Sequence, residues 1–364
     1  MTTSSPIEPL DTATGTPPEA GDVGRAAEPT RATPGAASMR AIVQDAYGSA
    51  AEDVLRLEEV ARPTIGDDGD VLVRVRAASV DRGTWHVMAG LPYPIRVAGF
   101  GLRAPKALNP GRSLAGTVES VGADVTGFQI GDEVFGIGEG AFAEYARARP
   151  STLAPKPVNL SFEQAAAVPV SAITALQAVR DHGRARAGQT VLVVGASGGV
   201  GTFAVQIAKA FGAVVTGVCS TAKTDLVRAL GADHVVDYTR EDFADGEHRY
   251  DLILDIGGNR RLSHLRRALT PRGRLVIVGG ETDGRLLGGS DRQIRAHLLS
   301  PLVSQKLGTF IASENADDLM VLRDLIEAGK VAPAVDRTYP LSEAPAAIRH
   351  MQDGHARGKV VVSV

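Results

Sequence analysis

One cysteine, Cys219, stands in 364 residues. It has no partner for an intrachain disulfide, it removes any cysteine-built metal site, and it fits a reducing compartment. Aromatic side chains make up only 4% of the chain, low for a globular protein. Neither sign of charge is in large excess: the net charge of −3 gives no counterion-driven attraction to nucleic acid or to an anionic membrane surface. No apolar run is long enough to cross a bilayer. The opening residues lack the basic start and apolar stretch of a signal peptide and carry more acids than a transit peptide, so the expected location is cytoplasmic. What remains is the composition of a soluble protein, 44% hydrophobic and 22% charged. At this length two domains are expected rather than one core.

Residues 1–38 are rich in Ala, Thr, Pro, Gly and acids and almost free of large apolar side chains. Such a segment cannot offset its ordering entropy by burial and is expected to be disordered. Met39 opens the first domain. From there to about Leu160, short apolar runs alternate with Gly and Pro turns. "DVLVRVRAASV" alternates as a half-buried strand, and "SLAGTVESVGADVTGFQIGDEVFG" supplies more strands parted at Gly122, Gly127 and Gly131, the pattern of a barrel or sandwich. "AITALQAVRDHG" has helical spacing and Gly183 as its expected cap. From Thr190 onward strands and helices alternate, with strands apolar on both faces, the signature of a parallel sheet covered by helices. The closing strand "GKVVVSV" is expected to return to the first domain.

The stretch "VLVVGASGGVGTFAVQIAKAFGA" joins a buried strand to an amphipathic helix. A pyrophosphate at the helix N-terminus needs a glycine just before the helix and another in its first turn against the strand. Only the frame Ala196-x-Gly198-x-x-Gly201 satisfies both, with Ser197, Gly199 and Val200 as further close-approach groups. The next strand selects the nucleotide. An NAD site carries an acid about 20 residues on, but "VVTGVCSTAK" ends in Cys219, Ser220, Thr221 and Lys223 with no acid before Asp225. Hydroxyls and a lysine can hold a 2′-phosphate that a carboxylate would repel, so the expected cofactor is NADP(H). Ser220 and Lys223 could instead form only an exposed turn and cap, and Cys219 reads as a small buried hydrophobe.

Several segments together resemble the quinone oxidoreductase branch of the medium-chain dehydrogenases/reductases: "AGTVESVGADVTGFQIGDEVFG", "GAFAEYARA", "AAAVPVSAITALQAV", the glycine-rich stretch above, "LGADHVVDYT" and "GKVVVSV". The resemblance runs from Met39 to Val364. It implies an α/β protein in which a GroES-like, partly open β-barrel domain carries an inserted Rossmann doubly wound parallel sheet. The expected divisions are 39–165 for the first part of the substrate domain, 166–302 for the NADP-binding domain, and 303–364 for the returning segment. A homodimer through the Rossmann sheet edge is implied by resemblance alone.

Zinc-dependent relatives place a Cys where this chain has Asp81 and a Gly-His-Glu where it has Gly111-Arg112-Ser113, and they carry a four-cysteine lobe that this chain omits. One carboxylate cannot build a tetrahedral zinc site, so a metal-free enzyme is expected. Without a Lewis acid, alkoxide stabilisation is difficult, whereas hydride addition to a quinone or an α,β-unsaturated carbonyl needs only hydrogen bonds and a proton. The candidate cleft residues are Asp81, His86 and Tyr93, either of the last two a possible proton donor; His86 could equally be an interfacial histidine, Tyr93 a core residue, and Trp85 packing. Matched positions add Thr174 near the nicotinamide, Tyr238 near the adenosine phosphate or as a strand cap, Gly279 and Gly280 beside the ribose, Asp255 as a wall, and Lys359 toward a phosphate or as a solvated charge. Two other classes stay open: a metal-free alcohol or aldehyde oxidoreductase, and a non-catalytic NADPH-binding regulator. An enoyl reductase of lipid or polyketide synthesis would differ only in substrate.

Overall fold

The structure is a computed structural model and describes residues 37–279 and 288–364. The first part of the chain forms β1 (Ser38–Val43), α1 (Ala51–Val54), β2 (Arg56–Ala61), β3 (Val71–Val80), α2 (Arg82–Ala89), β4 (Ser113–Val121), β5 (Glu133–Glu139) and β6 (Tyr145–Pro155). Two helices, α3 (Phe162–Ala166) and α4 (Pro169–Gln177), lead to β7 (Thr190–Val194), α5 (Gly199–Ala210), β8 (Val214–Cys219), α6 (Thr224–Ala229), β9 (His234–Asp237), β10 (Tyr250–Asp255), α7 (Leu262–Ala268) and β11 (Leu269–Ile277). After the gap come α8 (Ser290–Leu299), β12 (Lys306–Thr309), α9 (Ala316–Glu327), β13 (Val335–Pro340), α10 (Ala344–Gln352) and β14 (Lys359–Ser363).

β12, β11, β10, β7, β8 and β9 line up in that order as one parallel sheet. Chain direction across the sheet reverses between β7 and β10, which opens a crevice at their C-terminal ends. The apolar strands expected there are present: Val191, Leu192 and Val193 are completely buried, as a sheet covered on both faces demands. α5 lays Phe203, Ala204 and Ile207 on this sheet, all fully buried, each large side chain stabilising by about 1.5–3 kcal/mol.

The other large sheet runs β13-β14-β3-β4-β5-β6, and a further β3–β6 pairing curls it into a partly closed ring. β14 lies antiparallel to β3, with Val360 opposite Val80, so the closing strand does return to the first domain. The hairpin of β1 and β2 stands beside this ring, joined through Ile42 N–H to the Phe142 carbonyl at 2.8 Å.

Two expectations need correction. β12 pairs with β11 along Arg274–Ile277, so the parallel sheet extends beyond residue 302 to Thr309. Ser38 already pairs with Ala61 in β1, so the first domain includes Ser38 ahead of Met39; residues 1–36 lie outside the described residues. Gly183 does cap the helical run, which continues from α4 through a wide turn at Ala178–His182; its N–H donates to the Ala178 carbonyl at 2.8 Å with φ at −73°, and the positive φ of 50° falls one residue later, on Arg184.

Candidate functional site

Where β7 gives way to α5, the backbone turns at Gly195 with φ +85°, and a Cβ there would lie 2.9 Å from the Gly257 nitrogen. The tight-turn glycine is therefore Gly195, one position before Ala196, which is buried. Gly198 is the residue before the helix, at φ −86° and ψ 176°, and no side chain caps α5. A Cβ on Gly198 would meet only the Gly195 carbonyl, at 3.6 Å. A Cβ on Gly201 would sit 2.1 Å from that carbonyl and 2.9 Å from Ala196 backbone atoms. Gly201 thus serves helix-to-strand packing, while Gly198 keeps the space ahead of the helix open. Uncapped first-turn N–H groups facing an open approach fit a dinucleotide pyrophosphate. Gly199 and Val200 begin the helix, and the Ser197 carbonyl accepts from Gly358 N–H at 3.0 Å.

Beyond β8 lies a polar rim. Ser220 precedes a short turn at Thr221–Lys223 and makes no capping bond. Thr221 donates its hydroxyl to Asp237, whose other oxygen accepts from Thr239 N–H at 3.0 Å and Thr239 Oγ1 at 2.7 Å. Those hydroxyls, Thr221 first, hold the Asp237 carboxyl below its ordinary range. An acid does therefore stand by the rim, but it arrives from β9 and its oxygens are occupied. Lys223 donates to the carbonyls of Gly354 at 2.7 Å and Ala356 at 2.8 Å, and burial pushes its ammonium pKa down. Arg357 reaches back to the Ala222 carbonyl and to Asp225 at 2.6 Å. Tyr238 is half exposed with the Arg260 guanidinium 5.8 Å from its ring centre. Arg260 and Arg357 are rim cations that sequence reasoning missed, since nothing local to either places it beside β8.

Across the crevice, Lys359 is not a solvated charge. It is 2% exposed, donates to the Val80 carbonyl at 2.8 Å and to Ser171 Oγ at 3.2 Å, and a Cβ on Gly199 would lie 3.0 Å from its Cδ. Burial lowers its pKa and the Asp81 charge opposes this. Gly358 forms an isolated parallel bridge to Gly198, so the strand that carries Lys359 is stitched to the turn before α5. Thr174, on α4, turns its hydroxyl back to the Val170 carbonyl at 2.7 Å.

Asp81 caps α2, accepting from Thr84 N–H at 3.0 Å through Oδ1. Its Oδ2 is buried without a hydrogen-bond partner among the described residues. Arg112 makes an ion pair with Glu314, whose carboxyl is raised by burial and by the Asp81 charge, against the pull of Arg112. Glu314 was missed because "SENAD" reads as a helix start, which Asn315 indeed caps; its loop is held by Gln177, which bonds both Ser313 N–H and the Ser313 carbonyl. Ser79 and Ser113, paired across β3 and β4, bury hydroxyls with no partner among the described residues. Asp81 and Arg112, the residues matched to zinc-ligand positions, thus stand in one charge cluster with Glu314. Among the described residues the metal-capable grouping is Asp245, Glu247 and His248, fully exposed on the loop between β9 and β10.

His86 faces the Leu91 carbonyl through Nδ1 at 2.7 Å and meets Trp85 edge to face. Tyr93 is 39% exposed, not a core residue, with the Arg96 guanidinium 5.0 Å from its ring centre. Tyr47 ties the loop after it, bonding the carbonyls of Phe100 at 2.8 Å and Gly101 at 2.7 Å.

Under the crevice, Asp255 is fully buried and pairs with Arg292 at 2.7 Å; burial raises its carboxyl and Arg292 opposes this. Arg292 also donates to the Gly279 carbonyl at 3.0 Å. A Cβ on Gly279 would strike the Ile256 carbonyl at 2.2 Å, so this glycine is required by the approach of two strand ends. Gly280 lies outside the described residues.

Residues 67–158 match the model of the alcohol dehydrogenase GroES-like domain, and residues 230–362 match that of the zinc-binding dehydrogenases. The chain is 35% identical over 360 residues to NAD(P)H oxidoreductase RTN4IP1, mitochondrial, of Mus musculus, covering 90% of this chain and 89% of that protein. It is 34% identical over 340 residues to 2-methylene-furan-3-one reductase of Solanum lycopersicum, covering 89% and 79% respectively. The quinone oxidoreductase from Coxiella burnetii aligns in structure with a TM-score of 0.76 at 29% identity, over 90% of this chain and 100% of that one.

Proposed function

Because the chain belongs to the quinone oxidoreductase-like medium-chain dehydrogenases/reductases, we propose that it is a zinc-independent enzyme that reduces a quinone or an α,β-unsaturated carbonyl with NADPH. The observation that carries this is the meeting of the uncapped α5 N-terminus with the substrate domain through Gly358 and Lys359. A nucleotide held at the turn would lie where both domains contribute walls. Bound NADPH would supply the hydride.

The turn from Ser197 to Gly201 would hold the pyrophosphate, and Ser220 and Lys223 the 2′-phosphate, with Arg357 reinforcing the positive rim. In the cleft, Tyr93 is the better proton donor. His86 directs Nδ1 at the Leu91 carbonyl at 2.7 Å, which commits that nitrogen's proton to the carbonyl rather than to a substrate. The Tyr93 hydroxyl can hydrogen-bond a developing enolate oxygen or protonate its carbon. Lys359 opposes the charge of Asp81 and Arg112 that of Glu314, so the charges in the cleft are compensated by side chains.

Zinc independence rests on Asp81, Arg112 and Ser113 occupying the ligand positions. Chelator treatment should leave activity intact, and elemental analysis should find no stoichiometric zinc. A location in a reducing compartment suits Cys219, and a homodimer is the expected assembly. Anaerobic steady-state assays with NADPH against a quinone, an enone and a secondary alcohol test the activity. Turnover of the quinone or enone supports it, turnover of the alcohol alone overturns it, and NADPH binding without any turnover would make the protein a regulator.

A further inference from the structure

At the opposite end of the parallel sheet from the cofactor turn, a cavity of about 200 Å3 is lined by Arg184, Arg186, Arg272 and Arg274 together with Gln189 and Asp251. Two segments distant in sequence bring these arginines together: the connection into β7 and the first half of β11. Elsewhere in the protein arginines near carboxylates are paired, as Arg180 is with Asp181 and Asp318, Arg292 with Asp255, and Arg357 with Asp225. Here the one acid is already engaged. Asp251 accepts from Thr190 N–H at 3.0 Å and Thr190 Oγ1 at 3.1 Å, and from Thr270 Oγ1 at 3.4 Å. Among the described residues, no carboxylate bridges any of the four guanidinium groups and no side-chain hydrogen bond occupies them.

Clustered cations repel one another, and folding gains nothing from gathering them in a concavity unless an anion joins them. Arg274 shows the cost: burial and then the Arg184 charge push its pKa down. Arg184 itself holds a left-handed backbone at φ 50°, a strained conformation for a residue of this kind that is retained where the surroundings demand it. Guanidinium forks match tetrahedral oxyanions, each giving two parallel hydrogen bonds, and the cavity has room for roughly one to two phosphate groups.

We propose that this arginine pocket is a second anion site, separate from the cofactor turn, which binds two linked phosphate groups. β7 lies between the two sites, with Thr190 at the arginine pocket and Val194 beside the turn, a span of about 13 Å at the rise of a strand. The shared chemistry is a diphosphate, carried either by free pyrophosphate or by a nucleoside diphosphate.

Calorimetric titration of the full chain with inorganic pyrophosphate, at low ionic strength, tests the site. Saturable one-to-one binding is expected, weakened at least tenfold in the Arg184→Gln/Arg272→Gln double variant and retained in Gly198→Val, which obstructs the cofactor turn. Both arginines are exposed, so the double variant should unfold at the same temperature as the parent or higher when no ligand is present. A parallel titration of Gly198→Val with ADP, in which the cofactor turn is obstructed, names the source: tighter binding than pyrophosphate assigns a nucleoside diphosphate, equal or weaker binding the free anion. Binding that survives in the double variant, that disappears only in Gly198→Val, or that never saturates overturns the proposal, as does attachment to anionic lipid vesicles with none to pyrophosphate.

Discussion

A buried ammonium such as that of Lys359 is stable only where each N–H finds an acceptor. The Val80 carbonyl and Ser171 Oγ meet that need. Replacing Lys359 with Met keeps most of the stem against Gly199 but leaves the Val80 carbonyl unpaired, so urea unfolding should show a loss of about 1–3 kcal/mol. The pH dependence carries its own sign. With the folded pKa below the ordinary 10.5, the unfolded chain binds more protons in the interval between the two values, so stability rises with pH there and falls back as pH drops through the folded value. The stability of the parent relative to Lys359→Met should therefore increase as pH approaches 10.5, in paired unfolding curves. Cys219 behaves in the opposite sense. Burial, with the Asp237 charge, raises its thiol pKa to about 11, so at pH 8 about one thiol in a thousand is ionised. Native protein should resist iodoacetamide at pH 8 while the unfolded protein reacts. Between pH 9 and 11 only the unfolded thiol loses its proton, and the parent should lose stability relative to Cys219→Ala over that interval. That Cys219 is a buried hydrophobe was legible from its neighbours in "VVTGVCS". The burial of Lys359 was not, because a lysine next to a closing strand carries no local sign of the carbonyl 2.8 Å from its nitrogen.

Among the elements, α5 and its turn separate two jobs that glycine does. Gly201→Ala would drive a Cβ into the Gly195 carbonyl and Ala196 backbone, neither of which is a flexible side chain. A stability loss of about 1–3 kcal/mol is expected, together with weaker nucleotide binding. Gly198→Ala meets nothing closer than 3.6 Å and has an ordinary φ, so thermal unfolding should change little while NADPH affinity falls. Equal thermal stability and equal affinity in Gly198→Ala would mean that phosphate does not approach there. The phase of the apolar stripe in "GTFAVQIAKAF" located Gly198 and Gly201 correctly relative to the helix. It could not locate the positive φ at Gly195, because a turn's dihedral angles depend on what crosses it, here Gly257 at the end of β10. The same limit applies at Arg184: the helical period placed the end of the helix at Gly183, as found, but not the positive φ one residue on. Strands were easier to read than their ends, since a continuous apolar run such as "TVLVV" has few alternatives, whereas β12, with four residues and an exposed lysine, offers almost no periodic signal.

The molecule as a whole is held together at the rim beyond β8 by side chains that reach from one domain into the segment returning to the other. Lys223 bonds the Gly354 and Ala356 carbonyls, and Arg357 bonds Asp225 and the Ala222 carbonyl. If the rim holds a 2′-phosphate, the Ser220→Ala/Lys223→Ala pair should raise the NADPH dissociation constant about tenfold, or about 1.4 kcal/mol, with a much smaller change for NADH by fluorescence titration. Equal losses for both nucleotides would instead mark Lys223 as a purely structural tie. This scale was the most legible through the assembled motifs, which pointed to a partly closed barrel with an inserted parallel sheet. What they could not supply was Glu314 beside Arg112, or Arg357 beside Lys223, because contacts between domains leave no periodicity in either partner.

The pairing of β14 with β3 also bears on how the protein is made. Residues 71–80 leave the ribosome early, yet the strand that lies against them, and Lys359 with it, is translated only after the whole parallel sheet. A nascent chain can therefore assemble the nucleotide-binding sheet from near neighbours while one edge of β3 waits uncovered. The late strand closes the barrel and completes the crevice in one event. The wall that Gly358 and Lys359 set against the turn before α5 is thus absent until β14 has been translated.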